Sequence, residues 1–283
     1  MKSLKTPLRY PGGKSRAVQK LFSYILAKEY DELREPFLGG GSFAIEWTKR
    51  YPDSRVWVND LYEPLYNFWK HLQEHGQALR DELFSLKQQY PNPELARSLF
   101  DSAKEYLGRP VEDTKDFQRA VSFYVVNKCS FSGLTESSSF SKQASDSNFS
   151  VRGIDKLPEY QKLIKNWNIT NYSYDYLLDE SPDKCFGLVD QNIFVYLDPP
   201  YDIKDNLYGR KGSMHKGFDH DQFAKDCDAC KIDSFVSYNS SQLVKDRFTN
   251  WKASEFDLTY TMRSVGQYMR EQQERKELVL VNY

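Results

Sequence analysis

The chain has 283 residues, of which 40% are hydrophobic and 28% charged, and its net charge is −1. That composition supports one large α/β domain, or a core domain interrupted by a smaller one, and it excludes wholesale disorder. It also excludes a generic polycation, a spanning helix of roughly 20 apolar residues, and a signal peptide in Met1-Lys2-Ser3-Leu4-Lys5-Thr6. The expectation is a cytoplasmic protein with no membrane partner, whose nucleic-acid contacts, if any, rest on local patches.

In chain order, Leu33 to Phe37 is short, with apolar ends around Arg34 and Glu35, and is read as a buried strand ended by Gly39-Gly40-Gly41. Ser42 to Arg50 reads as a helix, and Val56 to Val58 as a second strand that stops at Asn59-Asp60. From Tyr62 the spacing turns helical, with Leu65, Phe68, Trp69 and Leu72, then Leu79, Leu83 and Leu86. Pro91 and Pro93 break that run, and a further helix is predicted over Thr114–Lys128. Residues 130–153 are rich in serine, with Phe131, Phe140 and Phe149 interspersed, which predicts an exposed loop of adaptable hydrogen bonders.

The α/β pattern resumes near Trp167. Ile193 to Leu197 is the clearest buried strand. It is followed by a helix over His220–Cys230, a strand over Phe235–Tyr238, a helix over Gln242–Phe248 and a last strand over Leu278–Val281. The outline is an open α/β sheet with a helical insertion, divided as 1–61, 62–158 and 159–283. Cys129, Cys185, Cys227 and Cys230 are too scattered for a disulfide framework. The lone C-x-x-C lacks a second ligand pair, so these are expected to be packing residues, and no metal is expected.

Three motifs carry chemistry. Gly39, Gly41 and Ala44 satisfy G-x-G-x-x-A at a strand-to-helix turn, and Asp60 ends the next strand. This is a nucleoside-binding crossover, in which glycines let the backbone approach a ligand and the acid meets ribose hydroxyls. Taken alone it does not separate NAD from S-adenosylmethionine, so an NAD-dependent oxidoreductase stays open at this point. Gly12-Gly13-Lys14-Ser15 resembles the end of a phosphate-binding loop, but Leu8 stands where that loop needs glycine, which excludes ATP binding. Lys14 is instead suited to pair with a carboxylate, such as that of a methionyl group.

Asp198-Pro199-Pro200-Tyr201 follows the best strand directly. Two prolines fix φ and remove two backbone donors, so the loop offers rigid acceptors, the Asp198 carboxylate and the Pro199 carbonyl. Tyr201 adds a flat aromatic face. Acceptors beside a stacking surface suit a base with an exocyclic amine, either adenine N6 or cytosine N4, in DNA or in RNA.

These pieces, in this order, resemble the Dam-type (D12 class) DNA N6-adenine methyltransferases. The matching stretches are residues 7–14, 35–42, 58–60, 196–201 and 276–283, with a looser match at Asn127-Lys128 and at Phe131 to Leu134. The resemblance implies a Rossmann-like S-adenosylmethionine-dependent methyltransferase sheet with an inserted helical target-recognition domain. It implies an enzyme that acts on a flipped adenine in double-stranded DNA; a monomer is expected because no long apolar stripe is left unassigned. It places Asp198, Pro199, Pro200 and Tyr201 at the catalytic centre, and Tyr10, Lys14, Glu35, Phe37, Gly39, Gly41, Asp60 and Asp198 around the cofactor.

On the DNA side it points to Lys128, Ser130, Ser132, Glu136, Ser137 and Lys142 in the recognition segment, and to Arg210 and Lys211 in a basic loop after the Asp-Pro-Pro-Tyr motif. One departure stands out. The family pattern has a guanine-reading arginine two residues after the Gly-Leu pair, and here Glu136 holds that place. A carboxylate cannot bind the two acceptors of guanine, but it can accept from a cytosine amine.

Overall fold

The computed structural model describes residues 4–10, 12–131, 138–179, 192–202, 217–257 and 276–283. Seven strands form one sheet: β1 (Glu32–Glu35), β2 (Arg55–Asn59), β3 (Asn168–Thr170), β4 (Ile193–Leu197), β5 (Asp233–Asn239), β6 (Lys252–Asp257) and β7 (Lys276–Val281). Their order is β3-β2-β1-β4-β5-β7-β6. The first five pair in parallel, and β7 runs antiparallel between β5 and β6. The strand order reverses between β1 and β4, so a crevice opens beyond their carboxyl ends, where open α/β sheets bind ligands.

Period-two alternation in β4 feeds both faces. Phe194 and Tyr196 join one core cluster with Phe43 and Trp47, while Val195 and Leu197 join another with Phe223 and Val236. The first cluster continues without a break into Trp69, Phe68 and Phe123 of the helical segment. That segment comprises α3 (Glu63–Gln89), α4 (Pro93–Leu107), α5 (Asp116–Cys129), α6 (Lys142–Ser147), α7 (Val151–Ile154) and α8 (Leu157–Leu163), after α1 (Val18–Phe22) and α2 (Ser42–Arg50). Helix α4 opens on a side-chain cap, with Asn92 accepting from Leu95 N at 3.0 Å and Pro93 at its first position. Helix α3 kinks at His75 (φ −132°, ψ 30°), next to Gly76, where a Cβ would lie 2.6 Å from the Gln161 side chain.

The structure corrects the exposed serine-rich loop expected over 130–153. Ser141 and Ser150 are N-caps that accept from Ala144 N (3.2 Å) and Gly153 N (3.3 Å) and start α6 and α7. Phe149 is fully buried, and Phe140 packs on Phe100. Serine competes for nearby backbone donors, so the composition that suggested a loop served to begin two short helices. Residues 132–137 lie outside the described residues. Strands β3 and β6 and helix α1 were not predicted. Among the described residues, no helix is long and apolar enough to cross a membrane.

Candidate active site

Each strand of the parallel sheet delivers a polar residue to its carboxyl edge. Glu35 ends β1, Asp60 follows β2, Asp198 follows β4, and Asn239 ends β5. Because β7 is antiparallel, its start lies at this same edge, and Glu277 pairs in register with Asn239. Lys14, at the head of a short 3-10 turn, enters from the N-terminal segment.

Lys14 is only 3% exposed. Its ammonium lies 2.8 Å from Asp198 Oδ1, 3.1 Å from Glu277 Oε1, 2.5 Å from the Tyr201 hydroxyl and 3.3 Å from Gly12 O. A lysine carries three donors, and protein groups occupy them all. In this arrangement the Lys14 charge is balanced inside the protein by Asp198 and Glu277. Tyr201 donates to Glu277 at 2.8–2.9 Å, and Lys14 sits 4.6 Å from the Tyr201 ring centroid. Behind the motif, Asp202 N donates to Asn239 Oδ1 (3.1 Å), and Arg247 grips the Asp202 carboxylate (2.7 Å). Pro199 is buried and Pro200 half-buried between these anchors.

The glycine turn is fixed by its neighbours. Gly39 (φ +49°) and Gly41 (φ +67°) adopt left-handed backbone that other residues rarely take. A Cβ on Gly39 would meet the Tyr10 ring at 3.0 Å, and one on Gly41 the Trp69 ring at 2.7 Å. Trp69 also donates its indole N–H to Gly39 O at 3.1 Å. Asp60 accepts from Gly39 N (2.9 Å) and Tyr62 N (3.0 Å), and Asn59 ties the turn to the end of β3 through Pro36 O and Tyr172 O. Phe37 lies in an aromatic group with Tyr174, Phe218 and Phe223.

The electrostatics follow from crowded acids in a dry crevice. Burial raises the Asp198 carboxyl to about 6; Lys14 opposes the rise and Glu277 adds to it. Burial likewise raises Asp60 to about 6, against the pull of its two backbone donors. Glu35 is pushed well above the carboxylate range by burial and by Asp198. Its Oε2 and the Tyr196 hydroxyl are buried with no hydrogen-bond partner among the described residues. An acceptor set of several carboxyls around one internally paired lysine suits a ligand bearing positive charge and donors, and S-adenosylmethionine has a sulfonium, an ammonium and ribose hydroxyls. The residues fit that group.

The stretch around Asn127 to Ser141 is seated on the N-terminal segment that leads to Lys14. Asn127 accepts from Arg9 N (3.0 Å) and donates to Arg9 O (2.7 Å), and the Arg9 guanidinium donates to Ser130 O (2.7 Å). Phe131 N bonds Ser139 O and Ser141 N bonds Cys129 O, forming the neck of a hairpin. Ser130, expected in an exposed loop, is fully buried at that neck, where its carbonyl serves Arg9. Lys128 is 9% exposed over the Tyr124 ring, and burial next to Arg9 lowers its pKa to about 7. Lys142 is exposed and faces Glu94 at 3.4 Å. Ser132, Glu136, Ser137, Arg210 and Lys211 lie outside the described residues. Glu277, Trp69 and Asn59 escaped the sequence reading. Glu277 sat inside a stretch that resembles the family, but nothing local marked its role.

The family match decides the identity. The model of the D12 class N6 adenine-specific DNA methyltransferases matches residues 10–264. The chain belongs to that family. It is a DNA adenine methyltransferase, and the cytosine, RNA and oxidoreductase alternatives are not favoured. It is 22% identical over 288 residues to the type II methyltransferase M1.LlaDCHI of Lactococcus lactis subsp. cremoris, covering 97% of this chain and 94% of that protein. It is 25% identical over 205 residues to the type II methyltransferase M.MjaIII of Methanocaldococcus jannaschii, covering 69% and 68%. An rRNA methyltransferase from Streptomyces viridochromogenes aligns over 96% of this chain and 86% of its own, at 13% identity and a TM-score of 0.40.

Proposed function

We propose that this adenine methyltransferase takes its methyl group from S-adenosylmethionine and delivers it to N6 of an adenine flipped out of duplex DNA, as the modification partner of a restriction system. The observation that carries the residue roles is the cluster of Lys14, Asp198, Tyr201 and Glu277 beyond the central strand. S-adenosylmethionine, when bound, supplies an electrophilic methyl group. Asp60 would meet its ribose hydroxyls, and Tyr10, Glu35, Phe37, Gly39 and Gly41 would line the rest of its site.

The adenine amine is a weak nucleophile because its lone pair is delocalised into the ring. Asp198 and the Pro199 carbonyl accept its two hydrogens, which localises the lone pair on nitrogen. Tyr201, with its hydroxyl tied down, presents its ring edge-fixed to the base and offsets part of the few kcal/mol that flipping costs. Asp198 also stabilises the positive charge that develops on the amine. Lys14 orients both residues from below and takes no part as a proton donor. Residues 62–158 serve as the target-recognition unit, with residues 127–153 entering the DNA and Lys142, Arg210 and Lys211 contributing contacts to phosphates. The protein acts as a monomer without a metal.

The test is methyl transfer from labelled S-adenosylmethionine to adenine-containing duplexes, with the modified base identified in the product. Asp198→Ala should lower single-turnover transfer at least about a hundredfold while leaving the fold intact. Transfer at the wild-type rate would overturn the assignment of Asp198.

A further inference from the structure

Glu277 is 1% exposed, at the second position of the last strand of the chain. An isolated carboxylate at such a place is costly, and strand pairing needs none. Its oxygens are met by three other segments: the Tyr201 hydroxyl donates to both (2.9 and 2.8 Å), the Lys14 ammonium lies 3.1 Å from Oε1, and the Ser237 hydroxyl of β5 donates to the same atom.

We propose that Glu277 is a positioning residue for methyl transfer, holding the Tyr201 hydroxyl and sharing the Lys14 ammonium so that Asp198 keeps its orientation and its strength as an acceptor. The inference rests on the reading of Asp198 as acceptor for the adenine amine. The physical basis is competition for one cation. Lys14 lies 2.8 Å from Asp198 and 3.1 Å from Glu277. Paired with Asp198 alone, the ammonium would draw charge out of that carboxylate and weaken the hydrogen bond it offers to N6. The second carboxylate takes up part of the cation. It also closes a ring of contacts from Asp198 through Lys14 and Glu277 to Tyr201, so the two ends of the Asp-Pro-Pro-Tyr loop are held against one rigid strand.

Among the described residues, the groups that act on Asp198 are Lys14 from the N-terminal turn, Glu277 from β7, Glu35 from β1 and the Tyr196 hydroxyl, with the Tyr201 hydroxyl on the far side of Lys14. Among these Lys14 favours the ionised form of Asp198 and Glu277 disfavours it. Loss of the Glu277 charge therefore lets Lys14 hold Asp198 ionised to lower pH, although the ionised group is then a poorer acceptor.

The experiment measures single-turnover methylation of an adenine duplex by the full-length Glu277→Gln enzyme as a function of pH, with cofactor affinity and melting temperature measured alongside. The expected result is a rate reduced about tenfold, cofactor affinity changed less than about threefold, and an acid limb displaced below the wild-type position. A folded variant with the wild-type rate and limb overturns the proposal, as does a rate loss with the limb unmoved, which marks a purely structural role. If Glu277→Gln does not fold, Tyr201→Phe decides: a rate reduced about tenfold with duplex affinity retained supports the tether, and a wild-type rate overturns it. An Asp198→Ala enzyme that methylates at the wild-type rate defeats the underlying assignment instead, which keeps the two failures distinct.

Discussion

At the scale of single residues, the site is a set of carboxyls held partly out of water. Asp198 keeps 21% of its side chain exposed, yet burial and Glu277 raise it to about 6 against the pull of Lys14. Only the ionised form is a full acceptor for an amine. The sign of the pH dependence follows: transfer should rise through about pH 6 and be lost below it, which a pH profile of single-turnover rates will show. Asp60 makes a different kind of prediction. Its two oxygens take two backbone donors, from Gly39 and Tyr62. In Asp60→Asn one of those N–H groups would face an amide N–H. Cofactor affinity, measured by calorimetry, should fall about tenfold, with a smaller effect on the rate at saturating cofactor.

At the scale of elements, the turn between β1 and α2 works because two aromatic side chains close over it. Gly41 combines a φ of +67° with a Trp69 ring that leaves no room for a Cβ. Gly41→Ala should cost about 1–3 kcal/mol, read as a lowered melting temperature, and should weaken cofactor binding by disturbing Gly39 O and the Asp60 contact. A similar logic holds where Cys129 to Phe131 meets Ser139 to Ser141: two backbone hydrogen bonds join the stretches, and the Arg9 guanidinium, bonded to Ser130 O, fixes them to the N-terminal segment. Apolar patterning revealed α3, α5, β2 and β4, since each has a continuous apolar face, whereas β1 is Glu32-Leu33-Arg34-Glu35 with its charged residues buried. It failed at β6, whose Lys252-Ala253-Ser254-Glu255-Phe256-Asp257 is a largely exposed edge strand with almost no apolar signal.

At the scale of the whole molecule, one core cluster runs from the sheet into the helical segment, and one asparagine joins that segment to the cofactor side. Asn127 pairs with both backbone groups of Arg9, one residue before Tyr10. Asn127→Ala should leave those groups unpaired, lower stability by about 1–3 kcal/mol, and weaken cofactor and duplex binding together; titrating each ligand alone will show whether both change. The sequence by itself determined the chemistry. The double proline, the glycine turn and the acid after β2 are local features, because fixed φ, positive φ and strand-end acceptors depend on adjacent residues, and they were legible together with the α/β outline. What only the tertiary structure decided is which charges meet. Lys14 was read as a partner for a carboxylate, and the fold brings it Asp198, Glu277 and the Tyr201 hydroxyl from three distant segments. Glu277 reaches that edge because an antiparallel last strand inserts between β5 and β6, a placement that no local pattern encodes since it depends on pairing between segments far apart in the chain.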